Sequence, residues 1–229
     1  MKFFDNLIDD FYNLCDSFPC ADRCFESDNI TSCNTHLELI MQRDTAFELE
    51  GQGFELVTSA DIEDSVTLIG RDLREISGNC AFARVCVVSI DGSVDEQRVF
   101  DVIKKIEYEK YKLFPVGYMM RASTGKKAEK VRVSAKELKN GLSFYKIGNL
   151  YINKLKENPD VKGVKVYFIT DDSFNYSELS HISSKNNDII KTLDHVMSSV
   201  NFDCDSCKLK SICDEVEGLR ELHFGDGMK

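Results

Sequence analysis

The chain has 229 residues, 42% of them hydrophobic and 30% charged, with a formal net charge of −10. That is enough apolar content for a buried core, in one domain with an appendage or in two small domains. There is no apolar run long enough to span a bilayer, and "MKFFDNLIDD" lacks a basic segment followed by an apolar one, so neither a membrane helix nor a signal peptide is expected.

In chain order, "FFDNLIDDFYNL" spaces Phe4, Leu7, Ile8 and Phe11 on one helical face. A cysteine-rich loop follows, and "THLELIMQRDTAFELE" reads as a second helix. Residues 51–64 read as a loop or linker, and "SVTLIG" as a short strand. "CAFARVCVVSI" is a strand rich in β-branched residues, closed by an Asp91-Gly92 turn. The stretch 95–113 is an amphipathic helix with Val99, Val102, Ile103 and Ile106 on one side. "FPVGYMMRA" and "KVRVS" form a hairpin about the polar tip "STGKKAE". Ser134 with Glu137 signals a capping box and a short helix. "FYKIGNLYINKLKE" is a helix stopped by Pro159, "GVKVYFIT" a strand, and "SSKNNDIIKTLDHVMSSV" a helix. "DEVEGLREL" reads as a last short helix.

The order β-α-β-β-α-β over residues 80–170 is the ferredoxin-like pattern. The expectation is therefore an α+β fold: a ferredoxin-like βαββαβ middle with helical, cysteine-containing N- and C-terminal extensions. Its segments are an acidic N-terminal part (1–65), an α+β middle (66–172), and a helix with a C-terminal cysteine segment (173–229).

Charge is unevenly spread. Residues 1–66 hold 15 Asp+Glu against 3 Lys+Arg, whereas residues 101–170 hold 7 against 16. The acidic ends are expected to fold back on the basic middle. A groove for an anionic ligand is the competing reading, with Lys126, Lys127, Lys130 and Arg132 on the hairpin as its candidates. The overall acidity, with no aromatic-studded basic motif, argues against nucleic acid. "STGKK" lacks the first glycine of a phosphate loop and sits on a hairpin, so it is set aside. The four histidines are scattered, and no nucleophile–base set can be assembled from them.

A cytoplasmic protein is expected, where structural disulfides are rare, so nine cysteines point to metal binding or redox work. Cys80 and Cys86 alternate along a strand and read as packing residues. The other seven form two groups in polar, Asp-rich segments: Cys15-x4-Cys20-x3-Cys24-x8-Cys33 and Cys204-x2-Cys207-x5-Cys213. A C-x2-C pair turns two thiolates toward one centre. Soft thiolates select iron–sulfur, zinc or copper(I), and clusters commonly take four. The C-terminal trio lacks a fourth ligand. Either an N-terminal cysteine completes it, or the N-terminal four form their own site and the trio keeps an open position. Asp214, Glu215 and Glu217 beside it would lower the potential of a cluster held there.

From "VTLIGRDLREI" onward, over residues 66–215, the chain resembles the β subunit of carbon monoxide dehydrogenase/acetyl-CoA synthase. The likeness is clearest in "VRVSAKELKNGLSFYKIGNLYINKLKENPDVKGVKVYFITDD". That family carries a similar opening, glycine-containing helix and closing strand, then the cysteines of its nickel–iron–sulfur cluster. Cys204, Cys207 and Cys213 match the first three by place, with a shorter second gap. The chain departs from the pattern in having no tryptophan, no C-G-C motif and no fourth cysteine after Cys213.

The resemblance implies an iron–sulfur site, most simply a 4Fe-4S cluster, with nickel not expected. It implies an accessory or electron-transfer protein in anaerobic one-carbon or corrinoid metabolism. Its partners would be a corrinoid or methyltransferase protein or a ferredoxin-type protein, with coenzyme A as a further ligand. Whether the chain is itself an enzyme stays open. The alternatives are a methyl or acyl transferase subunit acting on coenzyme A through an open metal site, and an interaction module stapled by zinc.

Overall fold

The computed structural model describes residues 3–26, 42–93, 96–123, 128–197 and 208–216. Helix α1 (Asp5–Asp16) buries Leu7, Ile8, Phe11 and Cys15 along one stripe, as the apolar spacing requires. Strand β1 (Cys20–Cys24) follows. Next come β2 (Thr45–Thr58), β3 (Ser65–Ile69), a 3₁₀ turn at Leu73–Glu75, and β4 (Cys80–Ile90). Helix α2 (Glu96–Glu109) runs into a 3₁₀ turn at Lys110–Lys112, and the hairpin β5 (Tyr118–Ser123) and β6 (Ala128–Ser134) leads to the short α3 (Ala135–Lys139). Helix α4 (Phe144–Leu155), β7 (Val161–Ile169), α5 (Tyr176–Met197) and α6 (Lys210–Glu215) complete the described chain.

The α+β class stands, but the sheet is not the ferredoxin-like one. Among the described residues it has seven strands in the order β1-β3-β7-β4-β2-β6-β5. The strands expected to form the split βαβ unit, β4, β5, β6 and β7, keep that unit's directions, with β7 antiparallel to β4 and β5 antiparallel to β6. Strand β2 lies between β4 and β6, parallel to the first and antiparallel to the second. On the far side β3 joins parallel to β7, and β1 pairs with β3 as the outer edge.

Two expectations fail here for one reason. Residues 45–50, read as helix, and 51–58, read as loop, are a single strand inside the sheet, between β4 and β6. Phe47 and Leu49 are buried while Glu48 and Glu50 face out, which is a strand's period of two. Gly51 and Gly53 look like loop punctuation in the sequence. In the fold they sit where there is no room for a side chain: a Cβ on Gly51 would lie 1.4 Å from the carbonyl oxygen of Phe82. The expected cysteine-rich loop likewise contains β1, whose five residues are all exposed and so show no buried stripe. The last helix also shifts. Helix α6 begins at Lys210, ahead of the stretch expected to be helical, most of which lies outside the described residues.

Helices cover both faces. Adjacent residues of β7 point opposite ways: the Tyr167 ring meets Phe11 of α1 edge-on at 4.9 Å, and the Phe168 ring stacks on Phe144 of α4 at 4.6 Å. Helix α4 starts where the Ser143 hydroxyl accepts from the amide of Lys146 (3.3 Å), and it buries Ile147, Tyr151, Ile152 and Leu155. Full burial of each such side chain is worth about 1.5–3 kcal/mol. Gly148 lets this helix close on β3, since a Cβ there would lie 2.5 Å from Val66 Cγ2.

Candidate functional site

The metal-site candidates divide by position. Cys15 closes α1 on its core side, and Cys20 and Cys24 are the first and last residues of β1, both exposed. A strand rises about 3.3 Å per residue, so four steps hold their backbones about 13 Å apart. Thiolates on one tetrahedral ion lie only about 4 Å from each other. While β1 stays paired, Cys20 and Cys24 cannot both serve one ion. Between them Asp22 accepts from the Thr67 hydroxyl (2.5 Å) and pairs with Lys165 (3.4 Å), which fixes β1 to β3 and β7. Burial, with Asp16 and Cys20 adding to it, pushes the Cys15 thiol up to about 12.

Cys33, Cys204 and Cys207 lie outside the described residues, and Cys213 lies on α6. Among the described residues no three His, Cys, Asp or Glu side chains come together as a metal site. Helix α5 packs against both α1 and α6, so the helices that carry Cys15 and Cys213 share one brace. Cys86 is buried in β4 and Cys80 half-buried at its start, as their alternation predicts.

Two of the four basic candidates, Lys130 and Arg132, meet carboxylates of this same chain. Lys126 and Lys127 lie outside the described residues. Lys130 and Arg132 of β6 stand directly across from Glu50 and Glu48 of β2, and they pair with them at 3.0 and 2.6 Å. Elsewhere Lys156 pairs with Asp64 and Lys165 with Asp22. The basic middle is thus matched by the acidic N-terminal part through named pairs, most of them half-exposed. Each is worth under about 1 kcal/mol and fixes register more than stability.

The most heavily charged centre was not anticipated. Arg84 is fully buried. Its Nη2 donates to Glu129 Oε1 (2.7 Å) and Glu55 Oε1 (2.8 Å), its Nε to Glu129 Oε2 (3.3 Å), and its Nη1 to Cys86 Sγ (2.9 Å). Its guanidinium lies over the Tyr151 ring, 4.7 Å from the centroid. Lys110 reaches in from the turn after α2, with its Nζ 3.7 Å from Glu55 Oε2. Two carboxylates thus face two cations, so the charges balance. Burial works against the guanidinium's charge, but Glu129 and then its other neighbours outweigh it and hold its pKa well above the ordinary value. The phenol of Tyr118 is pushed up by the same burial, with Glu129 adding to it. This cluster ties β2, β4 and β6 to α4 and to the turn after α2. One sequence signal for it exists: Arg84 stands alone in an apolar strand, and a buried charge requires a partner.

The class that emerges is an α+β domain with a mixed seven-stranded sheet, a balanced ionic centre on one face and a thiol-bearing edge strand. Residues 21–174 match the family described as the CO dehydrogenase/acetyl-CoA synthase complex beta subunit, and the chain belongs to that family. The match begins one residue into β1, after Cys20, and ends just before α5, so it takes in the rest of the sheet, including β2. In a comparison with curated proteins, none matches the chain. Among the described residues no helix is long and apolar enough to cross a membrane.

Proposed function

We propose that the chain binds an iron–sulfur cluster, most simply of the 4Fe-4S kind, through the trio Cys204, Cys207 and Cys213 and one N-terminal cysteine. In this reading it serves anaerobic one-carbon or corrinoid metabolism as an accessory or electron-transfer protein. The observation that carries the reading is the C-x2-C-x5-C trio in a polar segment of a chain from a family whose name is tied to metal-cluster chemistry. The donor set is chemically suited, being all thiolate. The 13 Å spread of β1 argues that at most one of Cys20 and Cys24 joins the trio. Both are solvent-facing and able to reach an external group, whereas Cys15 is turned into the core. A corrinoid, methyltransferase or ferredoxin-type partner and coenzyme A belong to the same proposal.

The test is iron, sulfide and zinc content with the visible spectrum on anaerobically purified protein, beside Cys204→Ala and Cys20→Ala. About four irons per chain with a charge-transfer band, lost in Cys204→Ala, is the expected result. Loss in Cys20→Ala as well identifies the N-terminal ligand. Stoichiometric zinc without iron overturns the redox reading in favour of a zinc-stapled module, and a colourless, metal-free protein overturns both.

A further inference from the structure

Helix α2 turns Asp101, Lys104, Lys105 and Tyr108 to solvent on one stripe, and Lys112 continues it in the following turn. Tyr108 is 61% exposed, and it and Phe114 are the large hydrophobic side chains left exposed among the described residues. Beside Tyr108 lies a groove of about 400 Å³ lined by Lys104, Lys105, Tyr108, Glu109 and Lys112. Asp101 and Lys105 have no ion-pair partner among the described residues. The stripe therefore combines an exposed ring, a groove next to it and charges of both signs, of which Lys104 already pairs with Asp194 and Lys112 with Glu109 of the same chain.

The order of those charges is self-complementary. When two copies of α2 pack antiparallel about a two-fold axis between Ile106 and Glu107, each residue faces the one equally far on the other side of that point. Asp101 then faces the partner's Lys112. Lys104 faces the partner's Glu109, and Lys105 the ring of the partner's Tyr108. Each contact occurs twice, giving two Asp101–Lys112 pairs, two cation–π contacts and two Lys104–Glu109 pairs that exchange with Lys104–Asp194 and Lys112–Glu109 inside each chain. Stripes of a single sign would repel in this arrangement.

We infer that the chain associates with a second copy of itself through this α2 stripe, with Tyr108 at its centre. The contact is one helix pair. It falls below the area of a permanent dimer, so the association is weak and salt-sensitive. It is independent of the cysteine reading.

The test is sedimentation equilibrium of the anaerobically purified full chain at low salt, from about 10 to about 500 µM, a range suited to micromolar affinities. Wild type is expected to move from monomer to dimer across that range. Asp101→Lys places two lysines face to face and should weaken the dimer at least tenfold. Lys112→Asp should do the same, although Lys112 also pairs with Glu109 of its own chain at 2.7 Å. The double variant Asp101→Lys/Lys112→Asp restores opposite charges and should return the affinity to within about threefold of wild type. Unchanged far-ultraviolet dichroism shows that the variants fold. A monomer at every concentration overturns the inference, as does a dimer indifferent to Asp101→Lys or a double variant that fails to recover.

Discussion

Gly53 stands directly across the β2–β4 ladder from Arg84, and the space where its side chain would be is filled by the carboxylate of Glu129. A Cβ on Gly53 would lie 1.9 Å from Glu129 Cδ. The glycine in β2 and the glutamate in β6 are thus two halves of one device that brings a carboxylate onto a buried guanidinium.

Gly53→Ala should push Glu129 off Arg84 and destabilise the fold by roughly 2–4 kcal/mol, as other lesions in buried charge networks do. Gly78→Ala is the control. Nothing lies within 4 Å of a Cβ there, and its effect should stay within about 0.5 kcal/mol. Urea denaturation of both variants reads the difference. Equal midpoints would show that Glu129 has another place to go.

Removing one member of the centre should cost more than removing two. Arg84→Met leaves Glu55 and Glu129 buried beside Lys110 alone, for a loss of about 3–5 kcal/mol. Arg84→Met combined with Glu129→Leu removes the matched pair and should cost less than the sum of the single changes. A double-mutant cycle by chemical denaturation measures that coupling. Additive losses would mean that the two side chains act separately.

Two Asp-x-x turns hold exposed carboxyls whose depressed titration should lower stability in acid. The hydroxyl and amide of Ser93, with Lys162, lower the Asp91 carboxyl to about 2, and the hydroxyl and amide of Ser173 lower that of Asp171. A carboxyl depressed in the folded state contributes stability above its unfolded value, near 4, and loses it as pH falls through the folded value. Stability should therefore fall between about pH 4 and pH 2. Asp91→Asn should flatten that part of the curve, read as thermal midpoint against pH. An unchanged slope would remove Asp91 from the account.

The thiols should react in an order set by burial. In metal-free protein, among the thiols whose burial is described, Cys20 and Cys24 should be alkylated first. Cys86 is buried and pushed up to about 12, chiefly by burial, so it should wait for unfolding. Timed alkylation followed by peptide mass spectrometry gives the order. Early labelling of Cys86 would mean that β4 opens in the native state.

Much of the fold is legible in the chain because local signals and burial agree there. The run "CAFARVCVVSI" coincides with β4, and the serines at 134 and 143 both cap the helices that follow them. What escaped reading was set by partners distant in sequence. Strand β2 is a strand because β4 and β6 flank it, and its glycines are explained by Phe82 and Glu129 rather than by any neighbour in the chain. Strand β1 has no buried face to give a pattern. The metal-site candidates were legible as spacings of cysteine. The ionic centre was not, because its members come from three separate strands and a turn, and each alone resembles an isolated charge.

The place of β2 also dictates how the chain is able to assemble. Its two ladders join residues far apart in sequence: Leu49 meets Cys80 on one side and Thr45 meets Ser134 on the other, while at the other end of the sheet Ser65 meets Lys165. Such long closures slow folding, because the chain's freedom is lost before the contacts are gained. A ribosome-bound chain that has not yet released β6 holds β2 with one side bare, and one that has not released β7 has nothing to carry β3 and β1. The sheet is completed only by its last strand to emerge. During synthesis, until β7 has emerged, the thiols of β1 have no place in the fold.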